Sequence, residues 1–375
     1  MAPVSSLLSV GLLAFNVVQA HPGHSVREEA LERHEYIKRA PKSVRSCEEH
    51  LRKRGHATHA LQRRASLETT ARVKLGLPVL EKRDFAAYNF SHVSNLTVGL
   101  GNNQMELFAD DSSCILQPEV TQGPYYVDGE LIRYDVTEGE QGVPLYLDIQ
   151  MINTATCEPV PAVYADIWHA NSTGVYSGVS ASGNGNQDDA TNLDNTALRG
   201  IQETDSNGVV QFHTLVPGHY DGRAPHIHVL THNTNSTIVR ANGTLLATSN
   251  NFTSSASHVG QIFFDQDLLT RVGTTSPYNT NTQTLTTNDD DFILAQEAAD
   301  TDPFVDYLQL TDDITDGILA WIRIGMDLTE DEDITAAATH YESGGVANAD
   351  MGAGLGGPFP SGAIPSGALS SGVPP

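Results

Sequence analysis

Basic residues are scarce over most of this chain. Of its 21 Lys and Arg, only six follow Arg83, all of them arginines, against 38 of the 46 Asp and Glu. A body this acidic repels polyphosphates, so nucleic acid is not an expected partner. Long apolar runs are missing as well. The stretch from Leu7 to Val18 is shorter than a bilayer span and no later segment is long enough, so no membrane crossing is expected. Helix signals are sparse, and HExxH, the zinc-hydrolase pattern, is absent. Cysteine occurs only at Cys47, Cys114 and Cys157. With 375 residues the chain can still bury a full one-domain core with extensions.

Several segments frame that core. Residues 1–20 have no acidic residue, an apolar run and a small-residue end at Val18-Gln19-Ala20, which reads as a secretory signal and predicts an extracellular protein. Residues 21–83 carry the basic residues and the dibasic pairs Arg63-Arg64 and Lys82-Arg83. They read as a basic pro-segment, helical in part (EEALERHEYIKRA), removed after Arg83, with Arg64 as a second candidate cut; an uncleaved basic tail is the alternative. Such a segment could dock on the acidic body. If Cys47 leaves with it, Cys114 and Cys157 are the expected disulfide of an oxidising compartment, with two free thiols as the alternative. Sequons at Asn89, Asn95, Asn235, Asn242 and Asn251 are expected to carry glycans; Asn171 stands too near Tyr176 for the same expectation. Residues 84–343 are the folded domain. From Gly344 the Gly/Ser/Pro/Ala-rich chain to residue 375 is expected to be disordered, with no hydrophobic end for a lipid anchor.

Within the domain the periodicity is that of strands. Leu145–Ile152 and Ala162–Trp168 alternate with β-branched and aromatic enrichment. Asp205-Ser206-Asn207-Gly208 is a turn between Leu198–Glu203 and Val209–Leu215, and His226–Thr231 and Val259–Phe264 continue the series. The short spacing predicts an all-β fold, an antiparallel β-sandwich with long loops and few short helices, one of them near Gln266–Arg271. Ile314–Met326 is compatible with helix or strand.

The densest chemistry lies in VPGHYDGRAPHIHVL, Val216 to Leu230. His226 and His228 are two apart, so on a strand both imidazoles project from one face and could hold one metal ion. If Tyr176 and Tyr220 join as phenolates, two anionic oxygens and two neutral nitrogens make a shell suited to non-haem Fe(III) better than to zinc. A phenol ionises near pH 10, so the cation would have to lower that value.

These residues resemble the intradiol ring-cleavage dioxygenases, most closely their secreted fungal branch. The shared landmarks come in the family's order: PEVTQGPYY, PAVYADIWHANSTGVYSG, LRGIQETDSNGVVQF, PGHYDGRAPHIH and GQIFF. The resemblance implies a β-sandwich, with Ile314–Met326 as a late strand, and an iron held by Tyr176, Tyr220, His226 and His228. It implies that a catechol chelates the iron and displaces Tyr220, which then helps take up a substrate proton. O2 then enters between the two hydroxyl-bearing carbons, giving a cis,cis-muconate-type diacid. Arg223 would stabilise negative charge on the ring, Gln261 would hydrogen-bond beside it, and Tyr125 and Tyr126 would line the pocket mouth. The link from Tyr220 to His226 is short, which suggests an open site, and no long helical dimerisation segment is recognisable, so a homodimer stays an open question. The absence of a second matched cation mildly favours substrates without a carboxylate.

Two other classes compete. A cupin-like oxygenase needs a glutamate shortly after His-x-His, where this chain has Val229-Leu230-Thr231-His232. A non-catalytic secreted sandwich would be marked by a lost ligand, and none is lost.

Overall fold

The computed structural model describes residues 47–79, 114–116 and 123–348, except 185, 187–188, 233–236, 248–252, 299–300 and 330–331. The signal segment, EEALERHEYIKRA, Lys82-Arg83, the sequons at Asn89, Asn95, Asn235 and Asn251, and residues 349–375 lie outside that set.

In chain order the first strands are β1 Cys114–Leu116, β2 Val127–Asp128, β3 Pro144–Asn153, β4 Glu158–Pro159, β5 Tyr164–Trp168, β6 Arg199–Glu203, β7 Val209–Leu215 and β8 His226–His232. They are followed by β9 Thr237–Val239, β10 Leu245–Ala247, β11 Thr253–Phe263, β12 Asp306–Gln309, β13 Ile318–Met326, β14 Glu332–Thr335, β15 Ala338–Tyr341 and β16 Gly344–Ala347. Two sheets face each other. One has five strands in the order β14-β11-β8-β5-β6, antiparallel throughout. The other has six, in which β13 runs parallel to both β3 and β1 while β12, β7 and β4 pair antiparallel. The sandwich is therefore mixed rather than purely antiparallel. β3 and β13 are separated in sequence by four of the five strands of the other sheet, so no hairpin forces them to run in opposite directions.

Alternation decides what each strand buries. Leu145, Leu147, Ile149 and Met151 of β3 meet Ile227 and Val229 of β8 and Ile318, Ala320, Ile322 and Ile324 of β13 in one core between the sheets. The intervening residues face outward, and both outer faces are covered.

On the six-stranded side the cover is helical. α1 (Glu48–Lys53) leads into α2 (His56–Leu75), which stops at Gly76, a left-handed position that closes the helix as glycine readily does. Leu67 and Ala71 pack on Tyr146, Leu308, Leu319 and Trp321. Arg63 grips Asp148 with two hydrogen bonds of 2.7 and 2.8 Å, Arg64 lies over the Trp321 ring at 4.8 Å, and Lys74 reaches Asp135 at 2.6 Å. The basic segment is thus docked on the acidic body over residues 47–77. Arg64 is buried mid-helix, so a cut after it requires the helix to unfold first.

The expected disulfide between Cys114 and Cys157 is corrected: Cys157 is bonded to Cys47, with the Cα atoms 5.1 Å apart. That pairing assumed that Cys47 departs, whereas its helix sits beside the turn that joins β3 to β4. Cys114 lies in β1, in register with Arg323.

At the other end, Gly344–Ala347 forms β16 on β15, so the ordered domain runs past its expected boundary. A backbone ladder asks little of side-chain composition, which is why a glycine-rich stretch can supply a strand. Ile318–Met326 is a strand, and α3 (Gln266–Gly273) is capped by the Asp265 carboxylate accepting from Leu268 N at 2.7 Å. A fourth helix, α4 (Phe292–Glu297), begins at Asp291. No helix among the described residues is long and apolar enough to cross a membrane.

Candidate active site

The site lies on the outer face of the five-stranded sheet. Because Ile227 and Val229 point into the core, His226, His228 and His232 point the other way. His228 stands opposite Trp168 of β5 and Gln261 of β11, and the Trp168 ring stacks on it in parallel at 4.7 Å. The Gly123–Tyr126 segment crosses above it. Gly123 has φ +71°, and a Cβ there would come 2.9 Å from His228 Cε1, so the chain can pass this close only as glycine.

Tyr176 reaches the same place from the loop after β5. Side-chain amides hold its backbone: Asn184 Oδ1 accepts from Tyr176 N at 2.7 Å, while Asn184 Nδ2 and Asn192 Nδ2 each donate to Tyr176 O at 2.8 Å. Earlier in that loop Asn171 Oδ1 accepts from Thr173 N and Val175 N, folding the turn that precedes the tyrosine. Nothing local marks Asn184 or Asn192 beyond an Asn/Asp-rich stretch. Asn242, by contrast, is an exposed sequon in the turn between β9 and β10.

Four polar atoms converge. His226 Nε2 lies 3.1 Å from His228 Nε2, 3.4 Å from Tyr220 Oη and 3.5 Å from Tyr176 Oη, and all four residues are buried. His226 Nδ1 is 2.7 Å from Ala224 O, a carbonyl that can only accept, so Nδ1 carries the proton and Nε2 presents its lone pair. Burial, with Arg223 adding to it, holds both imidazoles well below their ordinary pKa, hence neutral. Burial also raises both phenols, Tyr176 strongly; for Tyr220 the Arg223 charge opposes the rise without cancelling it.

Arg223 is itself tied down. Its Nε donates to Asp291 Oδ2 at 2.9 Å and its Nη2 to Gln261 Oε1 at 2.6 Å, so the two residues expected beside the site touch each other. Asp291 Oδ2 also accepts from Ala224 N, while its Oδ1 accepts from Ile293 N and Leu294 N at the start of α4. Asp291 escaped the sequence reading, since nothing local separates it from Asp289 and Asp290 beside it.

Tyr125 and Tyr126 part company. Tyr125 packs on Tyr176 at 4.8 Å and edge-on to Tyr220 at 6.5 Å, inside the site. Tyr126 points behind it, to Trp168 and His232 at 5.3 and 6.2 Å. Both are buried rather than at a mouth. His169 serves structure: it sits between Ala170 O and Thr214 Oγ1, and burial lowers its pKa to about 4.

The donor set fits one metal ion. Bonds of about 2.0–2.1 Å place neighbouring ligand atoms roughly 2.8–3.4 Å apart for angles between square and tetrahedral, and the distances from His226 Nε2 to the other three atoms, 3.1, 3.4 and 3.5 Å, lie in or just beyond that range. Among the described residues no group of three or more His, Cys, Asp or Glu could hold a metal, so such an ion would depend on the tyrosines.

The family described as Dioxygenase matches residues 120–286, a span that holds all four converging residues, Arg223 and Gln261. Residues 120–286 therefore resemble a dioxygenase, and the solved structures similar to this chain include intradiol ring-cleavage dioxygenases. An intradiol ring-cleavage dioxygenase of Tetranychus urticae is 27% identical over 57% of this chain and 96% of its own, with a TM-score of 0.45. The dioxygenase domain of a dioxygenase–carbohydrate-binding protein fusion from Streptomyces sp. SirexAA-E is 22% identical over 57% of this chain and 99% of its own, TM-score 0.34. Catechol 1,2-dioxygenase of Acinetobacter sp. ADP1 is 20% identical over 56% and 62%, TM-score 0.36. No curated protein sequence matches. The converging tyrosines and histidines lie within the stretch that matches the dioxygenase family and are the candidate catalytic centre.

Proposed function

We propose that the chain is an intradiol dioxygenase that uses Fe(III) held by Tyr176, Tyr220, His226 and His228 to cleave catechol-type rings, with both oxygen atoms of O2 entering the product. The single observation that carries this reading is the convergence of two phenol oxygens on a histidine pair whose Nε2 atoms lie 3.1 Å apart. Two phenolates bring two negative charges, which suits a trivalent ion, and tyrosine is a hard oxygen donor foreign to ordinary zinc sites. When bound, iron supplies Lewis acidity toward the catechol oxygens.

The chain's own residues do the rest. Tyr220 sits on the short loop bridged to Arg223 and next to its guanidinium, so it is the phenol best placed to receive a substrate proton. Arg223, fixed by Asp291 and Gln261, keeps a permanent positive charge beside the ring position where electron density would build. Trp168, Tyr125 and the Gly123 crossing exclude water. Two of the Arg223 nitrogens are already committed, which supports a substrate without a ring carboxylate: catechol or hydroxyquinol over protocatechuate.

The protein would be exported by residues 1–20, carry glycans at exposed sequons such as Asn242, and work outside the cell. Turnover in 18O2 tests the reading. The expected product is a muconate-type diacid carrying two labelled oxygens; a quinone or an unlabelled product would refute it.

A further inference from the structure

We propose that Arg199 is a positioning residue for the tyrosine side of the site, its guanidinium tying the backbone of Tyr125 to that of Ser177, next to Tyr176. This inference rests on the metal-site reading above, but the tie itself is visible without a metal.

Arg199 opens β6 directly opposite Trp168, the residue stacked on His228. It is 2% exposed, and every nitrogen of its side chain is used. Nη2 donates to Tyr125 O at 2.7 Å, Nε donates to Ser177 O at 2.9 Å with Ser177 Oγ at 3.2 Å, and Nη1 donates to Glu130 Oε1 at 3.0 Å. The strand end is pinned in turn, because Arg133 donates to Arg199 O through Nε and Nη2 at 3.1 and 2.7 Å. Tyr125 and Tyr176 come from segments about fifty residues apart, yet their rings lie 4.8 Å from each other. One planar group reaching both backbones sets that spacing.

The dull reading is that Arg199 only neutralises the buried Glu130. One nitrogen suffices for that, and a lysine would do it too. The other two are aimed at carbonyls on the two tyrosine segments, in a fork that an ammonium cannot reproduce. Catalytic groups displaced by about 1 Å lose much of their effect, so the tie matters for chemistry as well as for folding.

The test compares Arg199→Lys with Glu130→Gln. Glu130→Gln weakens the ion pair and leaves both carbonyl contacts, whereas Arg199→Lys keeps the charge and loses the fork. In metal-free protein, amide exchange of residues 125–127 and 176–178 should accelerate about tenfold in Arg199→Lys and remain at the wild-type rate in Glu130→Gln. In Fe(III)-loaded protein, the visible tyrosinate band should shift and weaken only in Arg199→Lys. Equal effects of the two variants would overturn the proposal, as would wild-type exchange and band in a folded Arg199→Lys. A wild-type protein with no band on iron loading defeats the metal reading instead, and the exchange comparison still decides the tie. Should Arg199→Lys not fold, the double variant Arg199→Met/Glu130→Leu removes the pair without stranding a charge. Folded with wild-type exchange, it sinks the proposal.

Discussion

Asp291 divides its two oxygens between two tasks. Oδ1 caps α4, and Oδ2 holds Arg223 Nε and Ala224 N. Asp291→Asn keeps an acceptor for the helix and removes the charge that orients the guanidinium. Steady-state kinetics should show kcat reduced by about 10- to 100-fold with the fold retained, the scale of losing an aimed electrostatic group; kcat within twofold of wild type would remove Arg223 orientation from the account. The histidine pair could be read from the sequence because two-residue spacing on a strand leaves one geometric outcome. Asp291 could not, because it meets Arg223 across 68 positions of chain. Asn184 and Asn192 were hidden for a related reason: side-chain amides bonding another residue's backbone leave no periodic trace.

Among the elements, the surprise is α2. A segment read by its charge and dibasic pairs is a 20-residue helix that completes the outer side of the six-stranded sheet, joined to the body through Cys47–Cys157. Dibasic pattern alone cannot tell a processing site from arginines that partner buried acids. Burial pushes the Asp148 carboxyl upward, but the Arg63 hydrogen bonds and the Arg63 and Arg64 charges outweigh it, so its pKa lies below the ordinary value. Arg63→Ala leaves that carboxylate with a neutral donor, Gln211 Nε2 at 2.8 Å, and with the more distant Arg64 at 3.7 Å. Chemical denaturation at neutral pH should show a loss of about 3 kcal/mol; a change under about 0.5 kcal/mol, the usual surface value, would mean that the helix contributes little. The strands fared better. Alternation placed β3, β5, β7 and β8 within a residue or two, whereas the parallel pairing of β13 with β3 is a matter of long connections that periodicity does not encode.

For the molecule as a whole, the buried polar layer behind the site sets a pH dependence. Burial pushes the Asp166 pKa up to about 8, against the opposing pull of Glu130 and Arg199, and Glu130 beside it is raised as well. A carboxyl whose folded pKa exceeds its unfolded value contributes stability fully below the ordinary aspartate range and loses it as pH rises toward 8. Asp166→Asn should therefore flatten the decline in melting temperature between pH 5 and 8 relative to wild type. Parallel curves for the two proteins would show that Asp166 is ionised throughout. Mutual repulsion in the acidic body acts in the same direction in both proteins and cancels in the comparison.

The visible absorption spectrum of the Fe(III)-loaded protein, recorded without oxygen before and after catechol, tests the central claim most directly. The expected result is a tyrosinate-to-iron charge-transfer band that shifts when catechol binds and weakens in Tyr176→Phe. A protein that stays colourless after iron loading, or a band that Tyr176→Phe leaves untouched, would contradict the two-tyrosine, two-histidine centre.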